Sequence, residues 1–265
     1  MSTDVDKMNI GDDKATWRDY YDLCKPKVVA LLLLTSVVGV VLASPPGEIS
    51  LFVLLMSTLG IGLGSAAGAA INQIVERESD ARMARTENRP LPKGRVSQQN
   101  AFVFAIMLAA ASVFVLTAWI NTLTAVLTFA SMIGYAVVYT MYLKKATPQN
   151  IVIGGLAGAT PPLLGWTSVT GSIDPHGVLL VLIIYTWTPP HFWALAIHRR
   201  DDYAKVNLPM LPVTHGIEFT KYSILGYTIL MFMVTLLPYL AYMRGEIYLV
   251  AAVLLGCLLY TSPSP

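Results

Sequence analysis

Asn72, Glu76 and Asp80 recur at intervals of four, and Arg82, Arg85, Arg89, Lys93 and Arg95 follow them within fifteen residues. On a helix, four residues turn the side chain by about 400° and lift it by about 6 Å, so the three oxygen-bearing groups share one face. Hard oxygen ligands at this spacing suit a divalent cation held between protein and phosphate oxygens. The basic residues beyond them suit the negative charge of a departing diphosphate. The alternative reading of Glu76, Arg77, Glu78 and Asp80 is a solvated helix end laced with i,i+4 ion pairs. A costly polar residue, Asn72, still inside an apolar stretch favours the metal and diphosphate reading.

A second constellation runs WTPPHFWALAIHRRDDYAKVNLPMLPVTHG from Trp187 to Gly216. Pro189 and Pro190 predict a break inside an apolar span, which the membrane tolerates where the break lines a protein-walled cavity. His191, His198 and Asp202 fall within one or two turns of each other, and Asp201 with Asp202 offers a second cation site or a share in the first. Each has a plainer reading: His191 bonding a carbonyl exposed by the prolines, and Asp201 pairing with Arg199 or Arg200. Trp187, Phe192 and Trp193 suit the lining of an isoprenoid or planar-ring pocket, while Trp17, Tyr20, Tyr21, Tyr142 and Tyr203 fit an interfacial aromatic belt equally well.

The elements that must hold these groups are membrane helices. Of 265 residues, 55% are hydrophobic and only 13% charged, about half the charge of a soluble domain. Apolar runs near 27–44, 50–75, 101–120, 123–143, 150–170, 177–197, 221–243 and 246–260 are each about long enough to cross the hydrocarbon layer. Lys25 and Lys27, Arg77 to Arg95, Lys144 and Lys145, and Arg199 to Lys221 fall in alternate connections. The positive-inside rule therefore places the N-terminus and both chemistry-bearing loops in the cytoplasm, with Arg244 the exception. The small-residue run GIGLGSAAGAA, from Gly60 to Ala70, predicts closely packed helices, and GGLAGATPPLLGW, from Gly154 to Trp166, small and twice broken by proline, fits close helix packing and a ligand cavity equally well. Two cysteines, Cys24 and Cys257, give neither a disulfide framework nor a metal spacing. The polar first two dozen residues are not a secretory signal, and residues 1–22 are expected to be a cytoplasmic segment ahead of a transmembrane domain over 23–256.

Four segments carry a resemblance: KPKVVALLLLTSVVG at Lys25, the Asn72–Arg95 motif, GGLAGATPPLLGW, and PPHFWALAIHRRDDYAKVNLPMLPV at Pro189. Together they resemble the intramembrane prenyltransferases of the UbiA type and, through the last segment, the branch that prenylates haem. One departure is Glu76, where the family usually has Asp; the longer side chain keeps the oxygen ligand. The resemblance covers about Tyr20 to Tyr239. It implies an all-α polytopic bundle of nine helices, eight of them visible here, around a central cavity.

The resemblance further implies Mg²⁺ as cofactor and transfer of a farnesyl group from farnesyl diphosphate to the 2-vinyl group of haem B. By it, Asn72, Glu76, Asp80, Asp201 and Asp202 bind the metal. Arg85, Arg89, Lys93, Arg95 and Arg199 face the diphosphate, and His191, His198, Trp187 and Trp193 face the substrates, with His191 a haem contact or iron ligand. The expected setting is a bacterial inner membrane, with membrane lipid around the chain and haem A synthase or a haem-copper oxidase as downstream partner; nothing suggests nucleic acid. Competing readings are a UbiA-type enzyme acting on an aromatic acceptor such as 4-hydroxybenzoate, a transporter, and a non-catalytic oxidase assembly factor. A transporter should carry its polar residues at the bilayer midplane, whereas here they gather at one face. The final residues, CLLYTSPSP, read back through the genetic code as a transposase-type sequencing adapter. Residues 257–265 are therefore expected to be a non-native read-through that replaces the natural continuation, rather than a genuine polar tail.

Overall fold

A computed structural model describes residues 15–206 and 208–261. Residues 1–14 of the expected N-terminal segment and 262–265 of the expected tail lie outside it. The described residues form α1 (Trp17–Leu23), α2 (Pro26–Ala43), α3 (Leu51–Asp80), α4 (Gln98–Trp119) and α5 (Thr122–Ile133), which runs into a π-helix over Gly134–Leu143. Then come α6 (Lys144–Ala146), α7 (Asn150–Ala159), α8 (Pro161–Thr170), α9 (Pro175–His198), α10 (Arg200–Lys205), α11 (Leu211–Thr214), α12 (Gly216–Leu240) and α13 (Glu246–Thr261). Among the described residues, six helical stretches are long and apolar enough to cross a membrane. Large apolar side chains such as Leu31, Leu34, Phe52, Leu55 and Phe102 point outward from them, as lipid-facing residues do.

The expected span at 150–170 is two ten-residue helices, α7 and α8, divided at Thr160. Pro161 lacks the N–H that would bond the carbonyl of Ala157. The Thr160 hydroxyl supplies that bond at 2.9 Å, and the Ser131 hydroxyl, 2.7 Å from Thr160 Oγ1, supplies another at 3.2 Å. The Ala157 carbonyl is thus kept bonded at the division, as an apolar setting requires. The expected break at Pro189 and Pro190 does not occur. α9 is helical throughout from Pro175 to His198, because both prolines are buried in a long helix whose other turns stay bonded and which packs on α7 and α12.

Close approach depends on small residues, as expected. At the α2–α8 crossing a Cβ on Gly39 would lie 2.0 Å from the carbonyl oxygen of Pro162, and one on Gly165 would lie 2.0 Å from that of Ser36. Only glycine permits the two backbones to touch there. Between α3 and α4, the Ser112 hydroxyl donates to the Gly60 carbonyl at 2.6 Å. Gly154 of α7 leaves room for the Tyr139 ring on the π-helix, whose carbons would sit 2.1 Å from an added Cβ.

Candidate active site

The last two turns of α3 carry the first motif inward. Asn72 and Asp80 are buried, and the Glu76 side chain is nearly so. Each of the three oxygen-bearing groups meets a cation from a different part of the chain. Asn72 Oδ1 accepts from Lys25 Nζ, ahead of α2, while Asn72 Nδ2 donates to Thr140 Oγ1 at 3.0 Å. Glu76 Oε1 pairs with Lys144 Nζ, just past the π-helix. Asp80 Oδ2 pairs with Arg89 Nη1 at 2.6 Å. The loop after α3 folds back to make this last contact, held by the Thr86 hydroxyl donating to the Asp80 carbonyl at 2.9 Å.

Lys25 is positioned with some force. Its backbone takes the left-handed conformation, φ 49° and ψ 61°, immediately before Pro26, a geometry that costs a non-glycine residue about 1 kcal/mol or more. Gln73, buried one residue after Asn72, clamps the preceding turn by donating from Nε2 to the carbonyls of Asp22 at 2.9 Å and Leu23 at 3.1 Å. Burial pulls the Lys25 ammonium down to about 8; Arg89 pushes in the same direction and Glu76 opposes. Lys25, Glu76, Asp80, Arg89 and Lys144 thus form one electrostatic unit.

A cavity of about 10 Å³, room for a single water, is lined by Glu76, Ser79, Thr140, Lys144, Lys145 and Leu208. Leu208 belongs to the second constellation, so the segment after α10 comes to rest against the first. The rest of that constellation is more open. Asp201 and Asp202 are exposed on the six-residue α10, and Asp202 pairs with Lys205 at 3.6 Å. His198 and Asp202 were expected on one helix face; the backbone at Arg199, φ −111° and ψ 21°, divides α9 from α10 between them.

Trp187 and His191 stack at 4.4 Å with an interplanar angle of 16°, and Phe192 meets His191 edge-on at 5.5 Å. These three rings and His198 are exposed. Trp193 points elsewhere: it is 1% exposed, packs edge-on against Tyr227 at 5.3 Å, and shares a cluster with Ile151, Leu208, Met210 and Leu211. Arg85 and Lys93 are exposed. Arg95 reaches Asp19 through Nε at 2.9 Å and the Asn88 carbonyl through Nη2 at 3.1 Å. Asp19 in turn caps α1, accepting from the Thr16 N–H at 2.9 Å and the Thr16 hydroxyl at 2.7 Å; these bonds hold its carboxyl below the ordinary range.

Among the described residues, no three His, Cys, Asp or Glu side chains converge as a metal site would require. The amide and two carboxylates of α3 nevertheless fit Mg²⁺ as a donor set, being hard oxygens on one helix face; their cation partners must exchange for the metal to bind. Sequence reasoning missed Lys25, Thr140, Gln73 and Lys144 as site residues. Lys144 had entered only as a marker of orientation, and Lys25 as that and as the start of a segment carrying the resemblance. Their signal was a lysine at the mouth of a span, Lys25 directly before proline and Lys144 at the end of an aromatic run.

The family model described as the UbiA prenyltransferase family matches residues 32–262. The chain belongs to that family. Among its relatives is protoheme IX farnesyltransferase 2 of Pseudoalteromonas atlantica, 62% identical over 236 residues, 89% of this chain and 77% of that protein. Protoheme IX farnesyltransferase of Hahella chejuensis is 60% identical over 91% of this chain and 81% of that one. The same fold occurs in a UbiA homologue from Archaeoglobus fulgidus solved with DMAPP and Mg²⁺, at TM-score 0.74 and 23% identity over 92% of this chain and 85% of that one. A digeranylgeranylglyceryl phosphate synthase superposes at TM-score 0.75 with 20% identity, over 91% and 84% of the two chains. This UbiA-family chain is accordingly an all-α, multi-pass membrane bundle and a prenyltransferase by family.

Proposed function

We propose that this chain transfers the farnesyl group of farnesyl diphosphate to the 2-vinyl group of haem B, releasing diphosphate, and that one water then captures the cation left on the vinyl carbon and loses a proton, giving haem O. The observation that carries the reading is the Asn72–Glu76–Asp80 ladder with a cation on each oxygen. It offers metal ligands and phosphate partners together, in a chain whose relatives at 62% and 60% identity are named protoheme IX farnesyltransferases. The setting is a bacterial inner membrane with both long loops in the cytoplasm, and the product suits a haem-copper oxidase directly or after haem A synthase.

Asn72, Glu76 and Asp80 would hold Mg²⁺, with Asp201 and Asp202 approaching from α10. A metal held there would supply charge neutralisation to the diphosphate. Arg89 accepts the charge that builds on the leaving group from within the site, and Arg85, Lys93 and Arg199 extend this positive field outward. Arg95 acts one step back by tying the loop to Asp19. The exposed Trp187–His191 stack presents a flat face and an imidazole for the porphyrin, and Trp193 fixes α9 behind it. Exclusion of water by the surrounding apolar side chains protects the allylic cation until the vinyl group attacks.

The test is haem extraction and mass analysis of membranes containing the protein, Mg²⁺, haem B and farnesyl diphosphate. A farnesylhydroxyethyl haem that disappears with Asp80→Asn is the expected result. Unchanged haem B, with prenylation of 4-hydroxybenzoate instead, would transfer the reading to an aromatic acceptor. Oxidase assembly that survives Asp80→Asn would point to a non-catalytic role.

A further inference from the structure

Thr128 of α5 is 4% exposed, and its hydroxyl has no hydrogen-bond partner. Threonines in other long helices behave differently: Thr117, Thr186, Thr188 and Thr228 each donate to the carbonyl four residues back, at 2.7 or 2.8 Å. A buried hydroxyl left unbonded costs free energy and asks for an explanation. Its neighbours in sequence supply one. Asn121, Thr124, Thr128, Ser131 and Tyr135 follow at steps of three, four, three and four, which keeps all five on one face over about 21 Å of helix.

This column is bonded to α7 and α8 on either side of Thr128. Asn121 Nδ2 donates to the Thr167 carbonyl at 2.9 Å, the Thr124 and Thr167 hydroxyls lie 2.9 Å apart, and the Ser131 and Thr160 hydroxyls lie 2.7 Å apart. The two hydroxyl pairs share one antiparallel register, in which Thr128 falls level with Leu163 and Leu164, where no polar side chain meets it. Thr128 lies against α3 and α4 instead. A Cβ added to Gly64 would sit 2.7 Å from Thr128 Cγ2 and 2.9 Å from Ser112 Oγ, so glycine keeps that side open beside two hydroxyls. Such a place suits a water, which when buried makes about three hydrogen bonds. At one end the column reaches the candidate active site: the Thr140 hydroxyl donates to the Tyr135 carbonyl at 2.8 Å and accepts from Asn72 Nδ2 at 3.0 Å. At the other end Asn121, the N-cap of α5, is half-buried.

The proposed reaction needs water to be absent first and present afterwards. The allylic cation must be shielded from hydrolysis, whereas the vinyl cation formed after farnesyl transfer must meet one water. Supply from the diphosphate end would bring water to the wrong cation. Resting on the function proposed above, we infer that the hydroxyl column on α5 admits the capturing water from the opposite end of the bundle, with Thr128 as its holding point. The water oxygen gives an electron pair to the cationic vinyl carbon and forms the C–O bond. One of its protons passes to the oxygen behind it and leaves along the column, so no column hydroxyl is consumed. Thr128 and Ser131 are thereby positioning residues for the second half of the reaction.

Mass analysis of the farnesylated haems made by membranes containing the full chain tests this. Where water fails to arrive, the vinyl cation sheds a proton and gives an alkene lighter than haem O by one water. Thr128→Val keeps the side-chain shape and removes the hydroxyl. It should raise the ratio of alkene to haem O by about tenfold or more, the scale on which a positioned proton acceptor acts, and Thr128→Ser should restore the parent ratio. Ser131→Ala should move the ratio in the same direction, while Thr117→Val, an exposed hydroxyl off the column, should leave it unchanged. The ratio does not depend on how much protein folds, so a packing role for Thr128 would lower both products together. A ratio unchanged in Thr128→Val and Ser131→Ala overturns the inference and leaves the proposed function standing; absence of any farnesylated haem from the parent chain overturns both.

Discussion

The two acidic segments of this bundle differ in how much of their work is done before any ligand arrives. At the end of α3, the oxygens are buried, their partners come from three other segments, and Lys25 is strained into place. On α10, Asp201 and Asp202 stand in the open, and Asp202 pairs at 3.6 Å with a neighbour three residues along. Exposed pairs of the second kind contribute about 0–1 kcal/mol. The first segment is held by partners from across the chain and the second only by its own turn, so on the function proposed above the two should respond unequally to the same substitution.

The largest effect is expected at the buried segment. Asp80→Asn should reduce farnesyl transfer by about 10³-fold, and Asp202→Asn by about tenfold, measured as haem O formed per minute; losses of this order follow removal of a preorganised charge-stabilising group. Equal losses would erase the asymmetry. Next, Gly165→Ala should destabilise the protein by about 1–3 kcal/mol through overpacking against the Ser36 carbonyl, seen as a lower Tm in detergent. A Tm no lower than that of the parent would mean that the α2–α8 crossing does not brace the first segment. His191→Ala should raise the KM for haem B several-fold and leave the KM for farnesyl diphosphate unchanged, a loss of uniform acceptor binding; a parallel rise in both would place the histidine with the diphosphate.

The smallest effect concerns the rim of the first segment. Asp19→Asn should cost about 1 kcal/mol at neutral pH, the worth of a helix N-terminal cap. Because the Thr16 bonds lower the carboxyl pKa on folding, this contribution is present above the unfolded value and lost as the pH falls through the folded one. The stability difference between parent and variant should therefore hold at pH 6 and close below about pH 4. A gap that widens on acidification would contradict the assigned direction.

The membrane helices were legible because apolar length is a property of composition, and the ladder on α3 because its period is that of the helix. What escaped was set by partners distant in sequence. Whether a proline divides a helix depends on what rescues the carbonyl it abandons: Ser131 and Thr160 do so at Pro161, and no motif announces that. Lys25 and Lys144 look like topology signals until folding brings them 47 and 68 residues across the chain. The division at Arg199 was invisible for the opposite reason, since His198 and Asp202 keep helical spacing across a backbone that is not helical there.

The π-helix over Gly134–Leu143 has a consequence for how this chain tolerates changes of length. Its turns hold about one residue more than α-helical turns, a widening marked by the Thr140 hydroxyl reaching back five residues to the Tyr135 carbonyl at 2.8 Å. The wider turns lie inside a membrane crossing instead of in a loop, and they set the rotational phase of everything beyond them. Removing one residue from this stretch would leave the crossing helical and apolar, yet turn Lys144 by about 100° away from Glu76. Register here acts as a gearing between chain length and chemistry.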